Sequence, residues 1–367
     1  MSVSIKIKGK SPLQRGMGIS GNHSLLDWIG SFGAEDIGID IGTSNVVFYI
    51  KRKGIVFPEA AVVARNKVTG SYLVSGTKAE EVEGKTPPEI EIVRPIERSA
   101  VVDYSGIAYL VNSVVNQSYF RGILFHPRLM MCVPVGINNV QRRALLEVAV
   151  SIGARKTVLI EQPLAALMGM RKLLKQRAGV MIVDIGGGTT KISVSSRNGI
   201  VLSHLSGESG NEMDLAIMKT IRDKYHVKIG KKAAESVKIA LGVEWDTDKV
   251  PRVAEIFGIS LISGLPVKIA VTGEDIAQAI NPILYRILKN ISNVLERTPP
   301  VLLEDIRKEG ILLIGGAARL KGIEKLISRL IGVEAQTADK ASYVNAVGAG
   351  AALEYIDSFR DSLQDLH

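Results

Sequence analysis

IDIGTSNVVFYI, from Ile39 to Ile50, reads almost like VDIGGGTTKISV, from Val183 to Val194. Each segment is an apolar strand that ends in Asp, turns through Gly and hydroxyl residues, and re-enters a second strand with alternating apolar positions. The turn at Gly42, Thr43, Ser44 and Asn45 matches the one at Gly186, Gly187, Gly188, Thr189 and Thr190. Such turns offer backbone N–H groups and hydroxyls to an anion, and glycine allows close approach and positive φ. Asp40 and Asp184 stand at matching places and could hold a hydrated Mg2+, which favours a few carboxylates plus water and phosphate oxygens. One such turn reads equally well as an ordinary hairpin. Two of them imply related halves that face one nucleotide.

A third small-residue turn follows Ile311–Ile314, a buried-strand pattern. Gly315, Gly316, Ala317 and Ala318 form the turn, and Leu320, Ile323, Leu326 and Ile327 repeat at helical spacing. Alone it reads as αβ packing or as a nucleotide site at a helix N-terminus; beside the two hairpins the second reading is favoured.

The chain has 367 residues, of which 46% are hydrophobic, enough for two domains around a deep cleft. No uninterrupted apolar run is long enough to cross a bilayer. The start, MSVSIKIKGKSPLQRG, is basic without a following apolar core, so it does not read as a secretory signal, and a cytosolic chain is expected. Cys132 is the single cysteine, which excludes an internal disulfide; among Leu129, Met130, Met131 and Val133 it reads as a buried strand thiol. His23, His126, His204, His226 and His367 lack metal-ligand spacing, and no Ser-His-Asp or Cys-His arrangement is present. A net charge of +9 favours an anionic partner, either nucleic acid or an acidic membrane.

Residues 1–35 stand outside the αβ pattern. Met1–Gly21 reads as a mobile basic arm; from Ser24 a helix start is followed by Leu25, Trp28, Ile29 and Phe32 on one face. That face either anchors the chain at a membrane interface or packs onto the body. A first half is expected over 36–178, with a strand- and turn-rich insertion at about 54–105. Within it, Ile107–Val115, Asn138–Ile152 (carrying Arg142, Arg143, Leu146 and Val150) and Pro163 to about Lys175 read as helices, and Leu129–Val135 and Val158–Ile160 as strands. A second half is expected over 179–339, its small subdomain at about 214–267. Met213–Tyr225 and Ala233–Leu241 read as helices, and Val250–Val271 as β-rich. Thr272 with Asp275 starts a long helix ended by Pro299 and Pro300. Residues 340–367 return to the first half.

IGIDIGTSNVVFYIKRKGIVFPEAAVVA, LIEQPLAALMG, VDIGGGTTKISV, SGNEMDLAIMKTIRDKYHVKIGKKAAESVKIALG and ILLIGGAARLKGIEKLI together resemble the MreB-like bacterial actins, in order and spacing, from about Asp36 to Tyr355. The resemblance implies an α/β, actin-like fold of two facing αβ domains, each with a smaller appendage, and Mg-ATP in the cleft between them. It implies slow ATP hydrolysis coupled to self-assembly into filaments on the cytoplasmic face of the cell membrane, and organisation of the cell-wall elongation machinery and cell shape. Asp40, Gly42, Thr43 and Asn45 match the first phosphate loop, Asp184 and Gly186–Thr190 the second, and Gly315, Gly316 and Ala317 the adenosine loop. Glu235 and Lys238 match positions near ribose and adenine; without the match they read as helix-surface residues.

Two departures bear on chemistry. The family usually has Glu before the proline where this chain has Gln162; an amide cannot accept a proton as a base but can orient water, so Gln162 and Thr189 are assigned to water positioning. Val46 stands where the family commonly has a hydroxyl. Ile123, Leu124 and Phe125 match a membrane-inserting loop of the family, though by themselves they read as a strand start. The competing functions are a chaperone-type ATPase, for which no substrate-binding segment follows, a sugar-kinase-type or regulatory ATPase, and a plasmid-segregating filament. The aromatic N-terminal face favours lipid, and no nucleic acid is expected.

Overall fold

The computed structural model describes residues 36–51, 53–115, 127–170, 179–196, 199–243 and 252–355. The candidate membrane residues Leu25, Trp28, Ile29, Phe32, Ile123, Leu124 and Phe125, and the basic segment Arg171–Arg177, lie outside them.

The repeated hairpins form the centres of two equivalent sheets. β1 (Asp36–Ile41), β2 (Asn45–Ile50) and β3 (Gly54–Ala60) run antiparallel. The insertion follows: β4 (Val63–Asn66), β5 (Tyr72–Ser75), α1 (Thr77–Glu81) and β6 (Ile90–Val93), then the hairpin β7 (Ile96–Glu97) and β8 (Ala100–Val101). α2 (Tyr104–Val115) leads to β9 (Arg128–Val133), α3 (Asn139–Ser151), β10 (Lys156–Glu161) and α4 (Gln162–Met170). β9 pairs parallel to β1 and β10 parallel to β9, giving a five-stranded sheet in the order β10-β9-β1-β2-β3. All six residues of β1 are buried, including Asp36 and Asp40, as in a strand covered on both faces.

The second sheet repeats this order. β11 (Gly179–Ile185), β12 (Thr190–Ser196) and β13 (Gly199–Ser206) form the antiparallel side. After them come α5 (Gly210–Tyr225), β14 (Val227–Lys228), α6 (Lys231–Leu241), β15 (Val253–Ser260), β16 (Pro266–Thr272), α7 (Gly273–Glu296) and α8 (Pro300–Glu309). β17 (Ile311–Ile314), α9 (Ile323–Ile331) and β18 (Ala335–Thr337) complete the sheet, in the order β13-β12-β11-β17-β18 with the last two parallel to β11. α10 (Val344–Ala352) is the last described α-helix.

Local signals place the helices well. Asn138 caps α3 in a reciprocal box with Gln141, and Thr272 caps α7 in a box with Asp275. Burial opposes ionisation of Asp275, yet hydrogen bonds from Lys224, Tyr225 and Thr272 outweigh it and hold the carboxyl below the usual carboxylate range. α7 passes through Pro282 and stops at Glu296, before the prolines expected to end it; Pro300 instead opens α8. In α3 the buried face is Leu145, Val148 and Ala149, and Val150 is exposed. Cys132 is buried, as expected, and burial pushes its thiol well above the usual range.

Two helices belong to both cores. Ala165 and Met168 of α4 join Ala349 and Ala352 of α10 against Met130, Cys132, Val158 and Ile160 of the first sheet. Ala166 and Met170 of α4 join Val344 against Val180, Ile182 and Ile314 of the second. The cleft opens above this shared pair.

Candidate functional site

The two hairpin turns are built alike and meet tip to tip. Gly42 N–H donates to Asn45 O at 3.0 Å, and Gly186 N–H donates to Thr189 O at 2.9 Å. A β-carbon on Gly187 would lie 1.9 Å from Ser44 Oγ, and one on Gly188 2.5 Å from Thr43 Oγ1. Gly187 and Gly188 are therefore the positions of the second loop where the first comes too close for a side chain. None of Gly42, Gly186, Gly187 and Gly188 has positive φ, which the sequence reading allowed for. Between and below the loops lies a cleft of about 400 Å³. It is lined by Asp40, Gly42, Thr43, Ser44, Asn45, Gln162, Asp184, Gly186, Gly187, Gly188, Thr189, Glu235, Lys238, Gly315, Gly316 and Ala317. Thr190 is not in this wall; fully buried, it donates its hydroxyl to Glu208 O at 2.6 Å.

At the floor, each carboxylate is held by one amide. Gln162 Nε2 donates to Asp40 Oδ1 at 3.0 Å, and Asn345 Nδ2 donates to Asp184 Oδ2 at 3.2 Å. Lys191 Nζ lies 3.8 Å from Asp184 Oδ2. Burial pushes the Asp40 carboxyl above its ordinary range and the charge of Asp184 adds to this, while Gln162, Lys191 and Asn345 oppose it. The carbonyl oxygens Gln162 Oε1 and Asn345 Oδ1 are buried without a protein partner. Two adjacent carboxylates suit a divalent cation, which relieves their mutual repulsion. Among the described residues no group of three or more His, Cys, Asp or Glu is placed to cage a metal, so the donor set fits an ion that takes its other ligands from phosphate and water.

This predicts an unusual variant. The raised Asp40 pKa means that the ionised carboxylate is less favourable in the fold than in the unfolded chain, a penalty present at neutral pH that disappears as pH falls through the folded pKa. Asp40→Asn is expected to raise the melting temperature of the ligand-free protein by a few degrees at neutral pH, with the gain shrinking on acidification, and, under the nucleotide reading proposed below, to weaken Mg2+-dependent nucleotide binding. Thermal scans across pH and a binding titration check it; a lower melting temperature at neutral pH would refute it.

The other end of the cleft departs from the sequence reading. Lys238, which the family match puts near ribose and adenine, is buried: at 6% exposure its Nζ lies 2.7 Å from Asp214 Oδ1 and donates to Gly210 O at 3.0 Å, joining α6 to α5. Asp214, also in the wall, is pushed upward by burial, which outweighs the opposing charge of Lys238. Glu235, one turn earlier, is exposed. Gly315 has φ +91°, and a β-carbon there would meet Asp184 Oδ1 and Ile185 O at 2.5 Å. Gly316 faces open space. The chain then passes through a 3-10 turn at Ala317–Arg319, and α9 begins only at Ile323, because Gly322 takes φ +87° and Val243 N–H bonds Lys321 O at 2.8 Å. The small-residue turn thus meets the cleft with its own backbone and not at the N-terminus of α9.

Lys191 and Asn345, beside the two carboxylates, are among the wall residues the sequence reading missed, as are Ser99 and Asp214. Each of the first two is a polar residue inside an apolar or small-residue run, TKISV and VNAVGAGAA, which is the signal that would have found them.

Comparison with known proteins follows the geometry. A family model described as MreB/Mbl protein matches residues 34–361. The cell shape-determining protein Mbl of Bacillus cereus is 36% identical over 324 residues, 88% of this chain and 97% of that protein. The cell shape-determining protein MreB of Escherichia coli K12 is 35% identical over 332 residues, 88% and 94% of the two chains. MreB5 of Spiroplasma citri bound to ADP superposes with a TM-score of 0.82 at 28% identity, over 89% of this chain and 98% of that one. The MamK double helical filament, at 22% identity and a TM-score of 0.72 over 88% and 99%, supports the same actin-like fold.

Proposed function

The chain belongs to the MreB/Mbl family, and from that premise we propose that it is an ATP-binding, filament-forming bacterial actin that assembles on the inner face of the cell membrane and organises wall synthesis and cell shape. The observation that carries the reading is the pair of tip-to-tip loops above two amide-held carboxylates. The Spiroplasma citri relative has been solved with both ADP and AMPPNP, which supports a nucleotide in the corresponding cleft.

In this reading the loop backbones at Gly42–Asn45 and Gly186–Thr189 receive the phosphates, with one loop from each sheet. Bound Mg-ATP supplies the transferable phosphoryl group and the cation that neutralises it. Asp40 and Asp184 would hold that cation at the floor of the cleft. Gln162, its amide N–H tied to Asp40 and its Oε1 buried without a protein partner, would accept from the attacking water, with the Thr189 hydroxyl in the same cleft wall as a second water-positioning group. Phosphoryl transfer depends on position and charge more than on a strong base, so an amide at residue 162 permits slow hydrolysis. Gly315, Gly316 and Ala317 form the adenosine side with Glu235; the Lys238–Asp214 pair shapes that wall. The halves divide near residue 179, and closure of one on the other couples nucleotide state to assembly.

Among the described residues no helix is long and apolar enough to cross a membrane. On the sequence pattern and the family match, Leu25, Trp28, Ile29, Phe32, Leu124 and Phe125 would make the lipid contact with the basic arm. Purified protein should pellet with anionic liposomes and form filaments with ATP, visible by electron microscopy. Removal of residues 1–32 is expected to lower the vesicle-bound fraction at least about fivefold, since one remaining insertion gives marginal attachment. Monomers that bind ATP but neither assemble nor touch lipid would support a regulatory or kinase-type ATPase instead; filaments that ignore lipid would favour a segregating filament.

A further inference from the structure

The hairpin β7–β8 turns through Arg98 and Ser99, between the paired residues Glu97 and Ala100. Both turn residues have positive φ, 46° and 64°. A two-residue turn of this kind is the geometry for which Asn-Gly or Gly-Gly is favoured, and neither position here is glycine. Strained backbone of this sort persists where its surroundings hold it, and it clusters at working sites. The surroundings are the two hairpin loops. Ser99 N–H donates to Thr43 Oγ1 at 3.3 Å, and Ser99 Oγ lies 2.6 Å from Thr189 Oγ1. Ser99 itself lines the cleft. Three hydroxyl residues from three separate segments are therefore linked at one point, with Ser99 in the middle.

We propose that Ser99 is a positioning residue of the cleft: its hydroxyl fixes that of Thr189, and its hairpin ties the inserted subdomain of the first half to the phosphate loop of the second. A threonine hydroxyl has one hydrogen and two lone pairs, so the bond to Ser99 sets its rotamer and leaves capacity for a water in the cleft. Moving the inserted subdomain moves Ser99, and with it the Thr189 hydroxyl. The inference rests on the nucleotide reading above and adds a residue that none of the matched motifs contains.

Ser99→Ala removes the hydroxyl and keeps the β-carbon; Ser99→Gly removes it and relieves the turn. In the full-length protein both are expected to lower kcat for phosphate release about tenfold, the loss of one well-placed hydrogen bond, with KM for ATP changed less than about twofold. Adding Ser99→Ala to Thr189→Ala should slow the reaction no further, because the serine acts through the threonine. Hydrogen exchange of the nucleotide-free protein supplies a second readout: Ser99→Ala should speed exchange of amides at 186–190 as well as at 96–101. Recovery of wild-type kcat by Ser99→Gly, additive losses in the double variant, or faster exchange confined to 96–101 would each overturn the proposal and leave a strained turn with a local role. A wild-type protein that neither binds nor hydrolyses ATP overturns the nucleotide reading and this inference with it, whereas a hydrolysing wild type matched by Ser99→Ala sinks this inference alone.

Discussion

Gln162→Ala is expected to slow phosphate release about a hundredfold while nucleotide affinity changes less than about threefold, the pattern of a group that acts at the reacting centre. The side chain is 4% exposed at the first residue of α4, just beyond β10. Its two ends do different things. Nε2 donates to Asp40 Oδ1 at 3.0 Å, which fixes the plane of the amide, and Oε1 is buried without a protein hydrogen-bond partner. In the proposed reading alanine removes the acceptor that orients water; it also strips Asp40 of the Gln162 donor, so the Asp40 carboxyl is pushed further upward by burial. Single-turnover phosphate release and an equilibrium titration with a nonhydrolysable analogue separate the two effects. Equal losses in rate and affinity would make Gln162 a binding residue and remove it from the water-positioning role.

Gly348→Val is expected to cost roughly 3–5 kcal/mol of stability, enough to abolish most soluble expression. A β-carbon at Gly348 would lie 1.7 Å from Ala165 O and 2.8 Å from Gly169 N, and one at Gly169 would lie 2.5 Å from Val344 O. α4 and α10 thus touch backbone to backbone. The obstructing atoms belong to a helix and cannot rotate aside as a side chain would. The opposite side of α10 is equally close, since a β-carbon at Gly350 would lie 2.1 Å from the Tyr49 ring and one at Gly38 would lie 2.4 Å from Gly350 N. Gly316→Ala is the control. That glycine has φ −65° and open space around it, so its substitution should leave the melting temperature unchanged. Denaturant titration of both variants decides the matter, and a Gly348→Val protein as stable as the wild type would refute the packing argument.

The parts of this molecule that were legible in sequence are those whose cause is local or repeated. The two hairpins announce themselves because the same Asp, Gly and hydroxyl pattern occurs twice, and the sheets built on them have the same strand order. Thr272 and Asp275 locate the start of α7 because a capping box is written in four residues. Ser99 was invisible because nothing in RPIERSAVV signals a turn, and its meaning comes from Thr43 and Thr189, far away in sequence. Lys238 was placed near the nucleotide only by the family match, and its burial was not legible because its partner Asp214 lies on another helix. The late start of α9 depends on a bond between Val243 and Lys321 that no periodicity reveals. The need for glycine at Gly187 and Gly188 was legible, but its reason, contact with Ser44 and Thr43, was not.

The shared helix pair also sets the order in which the protein can be made. The first sheet is bounded on one face by α2 and α3, which leave the ribosome soon after β1 and β2, but its other face is closed by Ala349, Ala352 and Leu353 from the far end of the chain. During synthesis Met130, Cys132, Val158 and Ile160 therefore stay partly uncovered until the second sheet has been made and α10 emerges. The nascent first half therefore carries an apolar face that α4 alone covers in part until α10 emerges, a surface suited to holding by a chaperone.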